Sequence, residues 1–109
     1  MKMIHIISES AAIGMRLRDI LYQAGYADIT VSDMSAVAEV QDSILVFYAK
    51  TRISDLMREI ADCGCPAVLL LNPDCYAMYL DRARHAGITL LLMPVAPYML
   101  LDAVRQAIS

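Results

Sequence analysis

Apolar residues arrive in short runs along this chain, each followed by a stretch in which apolar and polar positions alternate at helical spacing. Met3–Ile7, Asp28–Ser32, Ile44–Tyr48, Ala67–Leu71 and Ile88–Leu92 are the runs. Their near-continuous hydrophobicity predicts strands covered on both faces of a parallel sheet. Between them, Ala11–Ala24 places Ile13, Leu17, Ile20 and Leu21 on one helical face, with Ser10 as N-cap and Gly25 as the stop. A brief helix is predicted over about Ala36–Val40, capped by Asp33 or Ser35. A third helix runs from a Ser54 cap to about Ala61, with Leu56, Met57 and Ile60 inward and Cys63-Gly64 closing it. Asn72-Pro73-Asp74 reads as a loop and cap, followed by a fourth helix over Cys75–Ala86 and Gly87. Pro97 suits the first turn of a last helix to about Ile108.

Strand and helix alternate through about five cycles, which predicts a three-layer α/β domain with a doubly wound parallel sheet. The simplest order at this length is the flavodoxin-like 2-1-3-4-5. The 109 residues make a single domain, 1–109. Hydrophobic residues form 59% of the chain, and mean hydropathy is +0.51. No run approaches the roughly twenty residues of a membrane span, so the excess is assigned to the buried sheet. Met1-Lys2 leads into too short an apolar run for a signal peptide, and a cytoplasmic location is expected. Net charge is −3, without a block of like charge, so direct nucleic-acid contact and membrane binding are not expected.

In doubly wound folds, chemistry gathers at the carboxyl ends of the strands. Here those ends read Ser8-Glu9, Tyr48, Leu71-Asn72 and Met93-Pro94. The first strand is followed by Ser8-Glu9-Ser10-Ala11-Ala12, which lacks the glycines of a phosphate-binding loop. No Ser-His-Asp, Cys-His or paired-carboxylate set is present, so the chain is not expected to be an enzyme. Cys63, Cys65 and Cys75 are an odd count, and Cys63-Gly64-Cys65 lacks CxxC spacing. With only His5 and His85 as imidazoles, these cysteines read as ordinary small apolar or loop thiols, and neither a metal nor a cofactor is expected.

Three segments carry a family resemblance. Arg18-Asp19-Ile20-Leu21-Tyr22-Gln23-Ala24-Gly25-Tyr26 resembles the end of the first helix in receiver domains, particularly those of ANTAR-type antitermination regulators. His85-Ala86-Gly87-Ile88 resembles the approach to their last strand, and Met93-Pro94-Val95-Ala96-Pro97-Tyr98-Met99-Leu100-Leu101 their passage into the last helix. In order and spacing the whole chain resembles the CheY-like receiver domain of bacterial response regulators. That resemblance implies a two-component signalling role and a site made of an acidic pair, a phospho-accepting aspartate, a hydroxyl residue and a lysine. The matching positions here are Ser8 and Glu9, Tyr48, Leu71 and Met93, and the aromatic switch position is Leu90. The loop after Tyr48 lacks the usual M-P-x-x-x-G pattern.

Glu9 alone is a poor magnesium site, a phenol is a poor substitute for a carboxylate nucleophile, and Met93 has no ammonium to meet a phosphate. The expectation is a degenerate pseudo-receiver that works without phosphorylation, by protein–protein contact or dimerisation, on an output such as transcription or antitermination. Glu9 also suits the positive end of the first helix, and Tyr48 suits simple filling of space. The contact face implied by the resemblance spans the fourth helix, fifth strand and last helix. Its candidates are Tyr76, Tyr79, Arg82, His85, Tyr98 and Met99. The other reading is a small-molecule sensor using the apolar rim, with Glu9, Tyr48 and Asn72 as its polar groups. In the resembling family an output domain begins where this chain ends; a stand-alone domain and the N-terminal part of a longer regulator both fit.

Overall fold

The structure is a computed structural model describing residues 3–35 and 43–108. Five strands, β1 (Met3–Ser8), β2 (Ile29–Ser32), β3 (Ser43–Tyr48), β4 (Ala67–Leu71) and β5 (Thr89–Leu92), form one sheet in the order β2-β1-β3-β4-β5. Every pairing is parallel, with His5 opposite Leu45, Phe47 opposite Leu69 and Leu70 opposite Leu91. Four helices are described: α1 (Ala11–Gln23), α2 (Ile53–Cys63), α3 (Pro73–His85) and α4 (Pro97–Ile108). The expected α/β class and strand order are thus present. The short helix expected over about Ala36–Val40 falls on residues outside the described ones.

Side chains alternate across the sheet and divide the core in two. Leu45, Phe47, Leu69 and Leu71 face α2 and α3, where they meet Ile53, Leu56, Met57, Ile60 and Ala83. Ile44, Val46, Tyr48, Val68 and Leu70 face the other way, against Leu17 and Leu21 of α1 and Leu100, Ala103 and Val104 of α4. All six residues of β3 and all five of β4 are buried, whereas no β2 residue is. Continuous apolar runs and central position therefore coincide. Among the described residues no helix is long and apolar enough to cross a membrane.

Most helix ends follow the sequence. Ser10 caps α1, its hydroxyl accepting the Ile13 N–H at 3.3 Å. Gly25, Gly64 and Gly87 adopt positive φ just beyond α1, α2 and α3, where a side chain would be strained. Two expectations need correction. Ser54 does not cap α2: Arg52 does, in the left-handed region at φ 53°, with no side-chain cap bond. The Ser54 hydroxyl is instead held by α3, accepting from Arg82 Nη1 at 2.8 Å. And α3 begins at Pro73 rather than Cys75, because the fixed φ of proline suits the first helical position, which lacks an intrahelical N–H partner anyway.

Candidate functional site

The strand order reverses between β1 and β3, and the crevice outside their carboxyl ends is where such sheets bind ligands. Here the two strand ends are bridged by hydrogen bonds. The Glu9 N–H donates to the Tyr48 carbonyl at 3.0 Å, continuing the β1–β3 ladder past Ser8. The Glu9 carboxylate then reaches across to the loop after β3. Oε2 accepts the Lys50 N–H at 3.1 Å, and Oε1 accepts the Thr51 N–H at 3.2 Å and the Thr51 hydroxyl at 3.0 Å. One ionised side chain thus satisfies two backbone donors and a hydroxyl, the stronger, charge-assisted kind of hydrogen bond. The carboxylate is committed to the loop rather than to the N-terminus of α1. Sequence reasoning missed this role, since the partners lie more than forty positions away and the loop offers only backbone groups.

Ser8, at the other acidic position, is 5% exposed. Its hydroxyl donates to the Ser10 carbonyl at 2.6 Å and accepts the Ser10 N–H at 3.1 Å, which folds the chain into α1. Tyr48 is 3% exposed, its ring packed among the α1 and α4 core residues. The phenol oxygen lies 3.2 Å from Asn72 Nδ2 and 3.3 Å from Asn72 Oδ1, at the end of β4. Asn72 is at the N-cap of α3 but makes no side-chain cap bond, so its amide serves Tyr48 instead. Leu71 is wholly buried on the α2–α3 side and Leu90 packs partly buried against the same cluster. Met93 lies on the α1–α4 side, where a cavity of about 40 Å³ is lined by Ile13, Leu17, Ile20, Pro94 and Val95.

Ser8, Glu9 and Tyr48 therefore converge at one rim, and Leu71 and Met93 close its flank, the Met93 N–H donating to the Leu71 carbonyl at 2.9 Å. Leu90 sits further down β5. The donor set does not suit magnesium, which favours near-octahedral oxygen ligands: the sole carboxylate among the matched positions already accepts three hydrogen bonds. Among the described residues no group of three or more His, Cys, Asp or Glu side chains is placed to hold a metal ion.

Beside this rim, toward β2, an open cleft of about 300 Å³ is lined by Ser8, Glu9, Ala11, Met15, Val31, Ser32 and Asp33. The Ser35 hydroxyl and N–H hold the Asp33 carboxyl below its ordinary range. Under the same edge, His5 Nε2 is hydrogen-bonded to the Ser32 hydroxyl at 2.9 Å, and burial lowers the imidazole from its ordinary 6.5.

The six contact candidates divide. Tyr98 is 73% exposed, and Met99, Arg82 and His85 are also exposed. Tyr76 and Tyr79 are half-buried. The Tyr79 oxygen takes a 3.4 Å hydrogen bond from Ser54, so Tyr79 and Arg82 together tie α3 to α2. His85 Nδ1 bonds back to the Asp81 carbonyl at 2.8 Å, and the basic last turn of α3 complements its helix dipole. Sequence reasoning missed Met78, 72% exposed, and Leu92 at the edge of the sheet, 43% exposed. Met78 shares a helical stripe with Arg82 and His85, and that spacing was the available signal.

The fold and rim define a doubly wound α/β domain whose β1 and β3 ends are bridged by the Glu9 carboxylate. Among solved structures, a CheY-like response regulator from Mesorhizobium loti is similar, with a TM-score of 0.67 over 97% of this chain and 98% of that one, at 16% identity. At that identity the likeness establishes a shared receiver-like fold. No protein-family model and no curated protein matches the chain.

Proposed function

We propose that this chain is a regulatory, receiver-like domain of the response-regulator kind that signals without accepting a phosphoryl group and is not an enzyme. It acts through contact with a protein partner or a second copy of itself, to control an output such as transcription or antitermination. One observation carries this reading: the Tyr48 and Glu9 side chains at the matched positions are already engaged within the chain. Tyr48 is buried against Asn72, and Glu9 holds Lys50 and Thr51. A phenol without a neighbouring base is a poor nucleophile, and the matched lysine position offers only a thioether. Exposed Met78, Tyr98 and Met99, on α3 and α4, supply residue types enriched in interface cores, and Leu92 on β5 adds an exposed apolar side chain beside them.

The test is incubation with acetyl phosphate, or a beryllofluoride mimic, in the presence of magnesium, read by intact mass and amide NMR shifts. The expected result is no mass adduct and no shift around Glu9, Tyr48 or Lys50. A covalent phosphate, or magnesium-dependent shifts centred on Glu9, would overturn the reading.

The cleft beside Glu9 favours a second reading, a small-molecule sensor, because it opens at the rim and mixes carboxylate, hydroxyl and apolar walls. Fragment screening by NMR separates the two: saturable shifts confined to Ala11, Met15, Val31 and Ser32 would replace the contact reading with the sensor.

A further inference from the structure

At the other end of β4, away from this rim, the turn Cys63-Gly64-Cys65 joins α2 to β4. Its spacing alone reads as two unremarkable thiols; its geometry does not. Gly64 caps α2 at φ 71° and ψ 10°, a left-handed conformation that turns the chain back on itself. The turn brings the Cys65 N–H to 3.3 Å from Cys63 Sγ, and Cys65 Sγ to 3.9 Å from the Cys63 carbonyl. Both ends are anchored. Ile60, one turn back in α2, is buried, and the Pro66 carbonyl accepts the Leu45 N–H at 2.9 Å. Both cysteines are half-buried, packed on the α2–α3 core with part of each surface open to solvent.

We propose that Cys63 and Cys65 form a reversible dithiol–disulfide pair, a redox modification site oxidised by a low-molecular-weight disulfide of the glutathione class. A thiolate of the pair attacks one sulfur of the small disulfide and releases one glutathione thiolate. The second protein thiol, once deprotonated, attacks the protein sulfur of that mixed disulfide and releases the other. The net reaction joins the two protein sulfurs and breaks the small-molecule S–S bond. Two electrons and two protons pass to the two released thiols.

The second attack is intramolecular, and the anchored turn holds the two groups at high effective concentration. A bridge between residues separated by a single glycine closes a small, strained ring, and strained, accessible disulfides are the labile, regulatory kind. Burial pushes the Cys63 thiol up, and the Cys65 sulfur adds to that rise while the Cys65 N–H opposes it. Oxidation therefore accelerates with rising pH, because the thiolate is the attacking species. The site is independent of the contact function proposed above. Cys75 is an internal control, since the five residues of β4 lie between it and the pair, roughly 17 Å of strand.

The test equilibrates the protein with oxidised and reduced glutathione at several ratios, quenches with an alkylating reagent and maps the peptides by mass spectrometry. The expected product is a Cys63–Cys65 disulfide within one chain, with Cys75 still alkylated and the bond reversed by excess reduced glutathione. Cys63→Ser and Cys65→Ser are each expected to stop at the mixed disulfide, with a lifetime about tenfold or more beyond that in the unsubstituted chain. Three outcomes in the unsubstituted chain would each overturn the proposal: a persistent mixed disulfide, a bridge through Cys75 or between chains, or two thiols that stay alkylatable in excess oxidised glutathione.

Discussion

The rim around Tyr48 and the edge around β5 belong to the same sheet, yet they treat large side chains in opposite ways. At the rim Tyr48 and Leu71 are only 3% and 0% exposed, whereas at the edge Leu92 is 43% exposed and Tyr98 73%. Central strands have neighbours on both sides and helices on both faces, so apolar side chains at their ends pack into the core. An edge strand has one neighbour, and its outer side remains open unless something else covers it. The difference teaches that apolar and aromatic side chains at the rim add to the packing of the sheet. Exposed Met and Tyr at the edge add nothing comparable to the fold, which makes that edge the place to look for a contact.

The largest way to break this contrast lies just beneath the rim. Phe47→Ala, at a wholly buried position of β3, is expected to cost about 3–5 kcal/mol in urea unfolding. A loss below about 1 kcal/mol would mean this end of the sheet is not close-packed. Next comes Gly14 of α1, whose added Cβ would lie 3.1 Å from Val31 Cγ1 and 3.2 Å from Ser8 Cβ. Relief of the glycine penalty is worth roughly 0.5–1 kcal/mol, but crowding of a stiff neighbour costs about 1–3. Gly14→Ala is therefore expected to destabilise by about 1 kcal/mol in thermal or urea melts; a rise in stability would show room between α1 and the rim.

Glu9→Gln removes the charge from the clasp while keeping its shape. Its bonds to Lys50 and Thr51 are solvent-exposed, so the expected loss is about 1 kcal/mol, accompanied by faster hydrogen exchange at those two amides. Unchanged exchange at both amides would show that the loop holds itself. The smallest effect belongs to the edge. Tyr98→Ser combined with Met78→Ser is expected to leave stability within about 0.5 kcal/mol. If the exposed edge is a contact surface, the same pair lowers any self-association seen by analytical ultracentrifugation; a drop of several kcal/mol in stability would instead make these residues structural.

The layered architecture was legible because its signals are local. Apolar runs of strand length, a Ser10 cap and glycines beyond three helix ends act over a few residues, and they fixed both element order and the sheet's double burial. Positions at the strand ends were legible for the same reason, so Ser8, Glu9 and Tyr48 could be named as neighbours before any coordinates. Helix starts were less so. Ser54 is a good cap by residue type, but Arg82 and Tyr79 from α3 claim its hydroxyl, and α2 starts at Ile53 with Arg52 as its N-cap.

By itself, then, the sequence determined a parallel sheet with two helical layers and a rim poor in charge, since periodicity and composition are properties of the chain alone. Tertiary structure alone decided what the remaining polar groups do. Glu9 clasps a loop, Asn72 serves Tyr48, and Arg82 holds the Ser54 hydroxyl. The physical reason is that a hydrogen bond is set by distance and direction in space, and a carboxylate, an amide or a hydroxyl carries no mark in sequence of which donor the fold will bring to it.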